Sequence, residues 1–158
     1  MAPELRPNVC IILLNREGKL FLGERLHEPD HWQFPQGGVD EGGSLEETVL
    51  REVHEEVGVE PGKLRIIRRL HATHSYEWDS VRTYEGREYR GQSQTFWLVE
   101  FLGDDQDIDL QVHEQEFQRW QWVNPKEALA LVSPVRRSGY ELPVTEVLEY
   151  LSEKYEPK

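Results

Sequence analysis

The 158-residue chain is about one domain's worth of polypeptide, long enough to bury roughly 68–70% of the surface its unfolded form exposes. Leu, Ile, Val and Phe supply 42 of those residues, above the roughly 20% floor below which chains stay disordered, so disorder as the main state is excluded. Lys and Arg total 18 against 30 Asp and Glu, and a net charge of −12 repels polyanions unless bound cations or a local basic patch reverse it. General coating of nucleic acid and a DNA partner are therefore not expected. No run of about 18 apolar residues occurs, and the first residues lack the apolar core of a signal peptide, so neither a membrane span nor secretion by that signal is expected. Cys10, the single cysteine, can neither close an internal disulfide nor build a thiolate zinc cluster; it reads as a buried inert thiol in a reducing cytoplasm.

In chain order, Val9–Leu14 is a continuous apolar run that predicts a buried strand, closed by the turn residues 15–18, with Lys19–Gly23 returning as its hairpin partner. Trp32–Pro35 predicts a short extended piece that Pro35 confines to an edge or a strand end. Ser44 is a good N-cap and, with Glu47, a capping box, so a helix is predicted from there to Gly58. Leu45, Val49, Val53 and Val57 recur every four residues as its buried stripe, while Glu52, Glu55 and Glu56 converge on another face. Leu64–Ile67, Thr95–Leu102 and Arg119–Val123 predict strands, and residues 71–94 between the first two are polar, aromatic and without a clear period. Pro125 suits the first position of a helix over 125–131, and a last helix is predicted over 143–154 with Val144, Val147, Leu148 and Leu151 inward.

Charge is unevenly placed: residues 40–60 hold eight acids against Arg51 alone, whereas 63–90 hold seven bases against four acids. An acidic centre followed by a basic segment suggests divalent metal beside an anionic ligand; ordinary surface clustering is the alternative. Three glutamates on one helical face repel one another and invite a cation, and carboxylate oxygens are the hard ligands Mg²⁺ prefers. A merely solvated acidic face is the competing reading.

Gly37-Gly38 followed by Arg51-Glu52-Val53-His54-Glu55-Glu56-Val57-Gly58-Val59 resembles the Nudix signature, G-x5-E-x7-R-E-U-x-E-E-x-G-U with U aliphatic. Every position agrees at fixed spacing except Gly43, which stands where the family has glutamate. Arg6-Pro7-Asn8-Val9, Trp32 to Gly38, Gly91-Gln92-x-Gln94 and Glu116-Phe117-x-x-Trp120-x-Trp122 are similar to one branch of that family, the bacterial RNA pyrophosphohydrolases and the plant-type dinucleoside polyphosphate hydrolases.

The resemblance implies a single Nudix domain over residues 1–158, of α/β class, with a mixed sheet sandwiched between helices. It implies a Mg²⁺-dependent hydrolase, with Mn²⁺ a possible substitute, in which water attacks phosphorus. Its substrate would be a dinucleoside polyphosphate or the 5′-triphosphate end of RNA. Glu52, Glu55, Glu56 and Glu116 would be metal ligands, with Glu55, Glu56 and Arg51 catalytic. Arg6, Arg25 and Arg136 would contact phosphate or base, and each equally reads as a plain surface arginine. Gln36 and Gln94 would order substrate or water, or else satisfy buried amides. Gly37 and Gly38 would let the backbone approach phosphate. In the family the glutamate replaced by Gly43 supports the arginine that follows; here Glu47, four residues before Arg51, is the expected substitute. Where relatives carry an aromatic residue followed by lysine for base stacking, this chain has Val135-Arg136. His54, His71, His74 and His113 read as structural or surface residues. A catalytically weakened nucleotide-binding or regulatory domain is the reading from a different class, motivated by Gly43.

Overall fold

The computed structural model describes residues 2–155. Its organising element is β1 (Glu4–Leu14), and the continuous apolar run predicted at its centre is buried because both faces of that strand are covered. Val9, Ile11 and Leu13 pack with Val49, Val53 and Val57 of helix α1 (Leu45–Val57). Cys10, Ile12 and Leu14 point the other way, to Tyr140, Val144 and Val147 of helix α3 (Pro134–Tyr155). Full burial of each large side chain contributes about 1.5–3 kcal/mol, so this one strand fastens both helices to the sheet. The predicted sandwich of helices about a mixed sheet is the one observed.

The sheet runs β3 (Trp32–Gln33), β2 (Leu20–Arg25), β1, β6 (Arg87–Phe101), β5 (Leu64–Tyr84), with β1 and β6 parallel and the other neighbours antiparallel. Two further strands lie off this path. The short β4 (Gln36–Gly38) adds to the N-terminal half of β1, pairing Asn8, Val9 and Cys10 with Gly38, Gly37 and Gln36. Strand β7 (Phe117–Val123) adds to β2. Because β1 meets β2 only at Leu14 and Leu20, the sheet parts there and β4 enters the gap.

Helix α1 has the predicted ends. Ser44 Oγ accepts from Glu47 N at 3.1 Å, and Gly58, in the left-handed region at φ 84°, donates its N–H to His54 O at 2.9 Å. The last helix differs from expectation: it begins at Pro134, and Pro143 lies inside it rather than at its start. Proline there forfeits one backbone bond, but Tyr140, Val144 and Val147 continue a single buried stripe across it and hold the helix on the sheet. Residues 71–94 also resolve: they are the outer parts of β5 and β6, joined by the two-residue turn Glu85-Gly86 with both residues at positive φ. Pro125–Glu127 is a 3-10 turn that leads into a short helix α2 (Ala128–Leu131). Among the described residues no helix is long and apolar enough to cross a membrane.

At the end of β2 the buried Glu24 has both carboxylate oxygens engaged: Arg119 Nε and Nη2 donate at 2.6 Å each, the Asp30 amide at 2.8 Å and Gln118 Nε2 at 2.9 Å. This ties β7 to β2 where the register shifts, and two residues on, Leu26 N donates to Glu116 O at 2.9 Å. Arg25 and Glu116 are thereby set side by side at the end of the sheet. The Arg119 fork, working against burial and helped by Asp30 and Gln118, holds the Glu24 carboxyl down at about 2. A carboxyl depressed from 4.5 contributes stability that is complete above that pH and is lost as pH falls toward 2. Glu24→Gln is expected to lower Tm at pH 7 by roughly 4–8 °C, and the gap to wild type should narrow on acidification from pH 5 to pH 3, to close only near the folded value of about 2. Thermal melts across that range check it; a gap that stays constant contradicts the assigned role of the charge.

Candidate active site

The strand β4 is two glycines and one glutamine because its surroundings leave no room for more. Successive residues of a strand face opposite ways, and here both faces are occupied. A side chain at Gly37 would collide with the Glu52 carboxyl of α1, and one at Gly38 with the Arg6 guanidinium of β1. The same helix also grips the β4 backbone. Gln36 N donates to Glu56 Oε2 at 3.1 Å, and Arg51 Nη2 lies 3.5 Å from Gly38 O. Thus Arg51, Glu52 and Glu56, spaced for one side of α1, converge on three consecutive residues of one strand.

Arg51 has a carboxylate partner, and it is not the predicted Glu47. Asp40 Oδ2 accepts from Arg51 Nη1 at 2.9 Å, with Glu52 Oε1 3.4 Å from Nη2. Asp40 lies in the loop between β4 and α1, so a rule that looks only along the helix misses it. Gly43 has ordinary negative φ, and a Cβ there would meet Asp40 O at 3.1 Å, so the loop backbone would have to give by a few tenths of an ångström. The loop already supplies Arg51 with an acid from three residues earlier.

Electrostatically the helix carboxylates are a strained group. Burial, then the charge of Glu55, raises the Glu52 carboxyl to about 7 against the pull of Arg51. Burial, then Glu52, raises Glu56 well above the ordinary carboxylate range, with the Gln36 amide partly offsetting and Glu116 and Glu55 adding to the rise. Glu116 is raised by burial and by Glu114, against Arg25 and His113. Four carboxylates from α1 and the start of β7 thus act on one another through space. Among the described residues no three acidic, histidine or cysteine side chains close into a ready-made metal cage. A hard divalent ion such as Mg²⁺ needs only one or two protein carboxylates, the rest of its shell being water and phosphate. The donor set fits: oxygen ligands only, partly desolvated, and with mutual repulsion that a cation relieves.

These groups open onto a cleft of about 970 Å³. Arg51, Glu52, Glu55 and Glu56 line it from α1, Gln36, Gly37 and Gly38 from β4, and Arg6 from β1. Arg25 and Glu116 reach it from the β2–β7 end, Gln94 from β6 and Arg136 from α3. The metal-ligand, catalytic and substrate-contacting candidates named from the sequence thus meet at one place. Gln94 Nε2 donates to Asn8 Oδ1 at 3.0 Å and approaches Gln36 Oε1 at 3.3 Å, so the two glutamines form an amide chain on the cleft floor. Arg136 Nε stands 3.5 Å from His31 Nε2, and burial and Arg136 lower the His31 pKa.

Sequence reasoning missed the lining supplied by the β5–β6 arm. His74, Tyr76 and Trp78 are half-buried toward the cleft while Ser75, Glu77 and Asp79 between them are exposed, a period of two that was the available signal. His74 and His113, read as structural or surface residues, also border the cleft. The basic segment 63–90 is largely paired: Arg65 with Glu100 and Arg87 with Glu4 at 3.1 and 2.9 Å, and Arg90 with Glu77.

The model of the NUDIX domain family matches residues 4–142. Over 138 residues the chain is 39% identical to the RNA pyrophosphohydrolase of Sphingopyxis alaskensis, spanning 85% of this chain and 87% of that one. Over 149 residues it is 41% identical to the RNA pyrophosphohydrolase of Hydrogenovibrio crunogenus, spanning 92% and 90%. Among solved structures, that of a C. elegans Ap4A hydrolase binary complex is similar with a TM-score of 0.66 at 19% identity, over 92% of this chain and 98% of that chain, a likeness of fold. Nudix hydrolases generally use divalent metal ions, in keeping with the carboxylates gathered on α1. A match that begins with β1, takes in the signature helix and runs into α3 makes this chain a member of the Nudix hydrolase family.

Proposed function

We propose that this chain, as one Nudix domain over residues 1–158, is a cytoplasmic Mg²⁺-dependent RNA pyrophosphohydrolase that removes phosphate from the 5′-triphosphate end of RNA. The observation that carries the reading is the meeting of Glu52, Glu55, Glu56 and Glu116 with Arg6, Arg25, Arg51 and Arg136 in one cleft, on a chain 39% and 41% identical to proteins of that name. Glu52, Glu55, Glu56 and Glu116 are the residues that would hold the metal, Mg²⁺ or Mn²⁺ in its place. When bound, it supplies neutralisation of the polyphosphate and a lowered pKa for water. Arg6, Arg25 and Arg136 contact the anionic chain, and Arg51, held by Asp40, keeps Glu52 oriented. A water oxygen forms a bond to phosphorus, the bridging P–O bond breaks, the water proton passes to a carboxylate of the set, and the departing phosphate leaves as pyrophosphate or orthophosphate.

A dinucleoside polyphosphate is the second reading, and one observation favours it. With Arg65, Arg87 and Arg90 paired to acids on a chain of net charge −12, less of the positive charge of segment 63–90 is left for the backbone of a long RNA. The Asp40–Arg51 pair in turn counts against a weakened, non-catalytic domain, since the support lost at Gly43 is replaced. Phosphate release from a 5′-triphosphorylated oligoribonucleotide and from diadenosine tetraphosphate, with and without Mg²⁺, tests all three. Faster turnover of the RNA end is expected; inactivity toward both would overturn the enzyme reading.

Glu56→Gln is expected to lower kcat by a hundredfold or more, because it withdraws charge from the metal while keeping shape. The same change should raise the Tm of the metal-free protein, since folding no longer has to bury or protonate that carboxyl, and should abolish most of the stabilisation that Mg²⁺ gives wild type. Thermal melts with and without Mg²⁺ read both effects.

Asp40→Asn is expected to reduce kcat about three- to tenfold, whereas Gly43→Glu alone should change it less than twofold. In the double variant the new glutamate should restore the rate lost at Asp40. A large gain from Gly43→Glu in the otherwise native chain would show that Asp40 leaves Arg51 unsupported.

A further inference from the structure

The arm formed by β5 and β6 gives the cleft a lining of a different kind from the glutamates. Beyond His74 and Tyr76, the same strand carries Trp78 and then Arg82 and Tyr84, which line the cleft beside it. The Trp78 and Tyr84 rings lie 6.0 Å apart at 42°. The Arg6 guanidinium carbon lies 3.9 Å from the centre of the Tyr84 ring, and that of Arg82 lies 4.3 Å from the centre of the Trp78 ring. Since Arg6 also lies against Gly38, a series of planar groups runs from β4 through Arg6, Tyr84 and Trp78 to Arg82.

The Trp78–Tyr84 pair is not core packing, for neither ring belongs to the hydrophobic clusters on the two sides of the sheet. At the start of α3 Val135 borders the cleft, 76% exposed, and Tyr140 of the same helix, which also lines it, is 2% exposed and packed against Phe34 and Phe96. The last member of the series, Arg82, is an exposed side chain, so one face of Trp78 is covered only by a group that can swing away. An indole face capped by a movable guanidinium is suited to a nucleobase, which stacks on both. The arm is also anchored: Glu146 of α3 accepts from His71 N at 2.7 Å and Ala72 N at 2.8 Å at the irregularity between Arg69 and Thr73.

We propose that Trp78 and Arg82 form a nucleobase platform, in which the face of one substrate base inserts between indole and guanidinium while Tyr84 holds Arg6 beside β4. The proposal rests on the reading of the cleft as a site for a nucleotide polyphosphate. The base could belong to one of the first nucleotides of a 5′-triphosphorylated RNA or to a dinucleoside polyphosphate, and the recognition chemistry is the same.

The test uses the full chain with Mg²⁺, 5′-triphosphorylated octaribonucleotides that are intact or abasic at one position at a time, and diadenosine tetraphosphate. Trp78→Ala is expected to raise KM by roughly ten- to hundredfold, with the loss falling on KM more than on kcat, and Trp78→Phe should recover most of it. An abasic nucleotide at the stacked position should cost wild type a similar factor and cost Trp78→Ala little more. Binding of a 5′-monophosphorylated octamer should quench tryptophan fluorescence in wild type and much less in Trp78→Phe. A loss with one substrate class and not the other identifies the source of the base. If wild type cleaves RNA or the dinucleotide and Trp78→Ala, with unchanged Tm, keeps its KM for both, the platform is wrong and the proposed function stands. If wild type cleaves neither, the proposed function fails and takes the platform with it.

Discussion

The site depends on a strand with no side chains to spare. Only because Gly37 and Gly38 expose bare backbone can a carboxylate from α1 and a guanidinium from β1 press on opposite faces of β4. That contact brings the acidic helix and Arg6 to within one backbone's thickness of each other. The sheet makes the gap for β4 by letting β1 and β2 part, and burial of β1 on both faces fixes α1 above it. Packing far from the chemistry thus sets the spacing on which the chemistry relies.

The same closeness leaves the metal-free protein with unfavourable electrostatics. Burial and neighbouring charge raise Glu52, Glu56 and Glu116, while Glu24, the most deeply buried of the four, is driven the opposite way by its arginine fork. One buried acid is satisfied within the protein and serves structure. The others lack enough donors within the protein, as the proposed metal ligands would. This contrast separates stabilising from functional carboxylates on a chain with 30 acids.

Much of this was legible before the fold. The four-residue spacing from Val49 to Val57 and the Ser44 cap located α1, and the apolar run of β1 gave a strand covered on both sides. Residues as distant as Arg6 and Arg136 could not be brought together by periodicity, and it was the family resemblance that grouped them. Asp40 escaped because the partner of Arg51 comes from a loop, outside the reach of helical spacing rules. The start of α3 was misplaced because Pro143 reads as a first-turn residue, whereas tertiary packing of Tyr140, Val144 and Val147 carries the helix through it. The arm was hidden by its polarity: it has one face toward an open cleft rather than a core, so its alternation is between aromatic and charged residues.

The most direct measurement is the affinity for Mn²⁺, followed by electron paramagnetic resonance, in wild type, Gly37→Ala and Gly43→Ala. A methyl at Gly37 must displace the Glu52 carboxyl, whereas one at Gly43 meets Asp40 O, at 3.1 Å, and no carboxylate. Wild type and Gly43→Ala should bind alike, and Gly37→Ala at least about tenfold more weakly, the scale of a misoriented metal ligand. Equal affinity in all three would contradict the claim that the bare strand positions the metal-binding carboxylates.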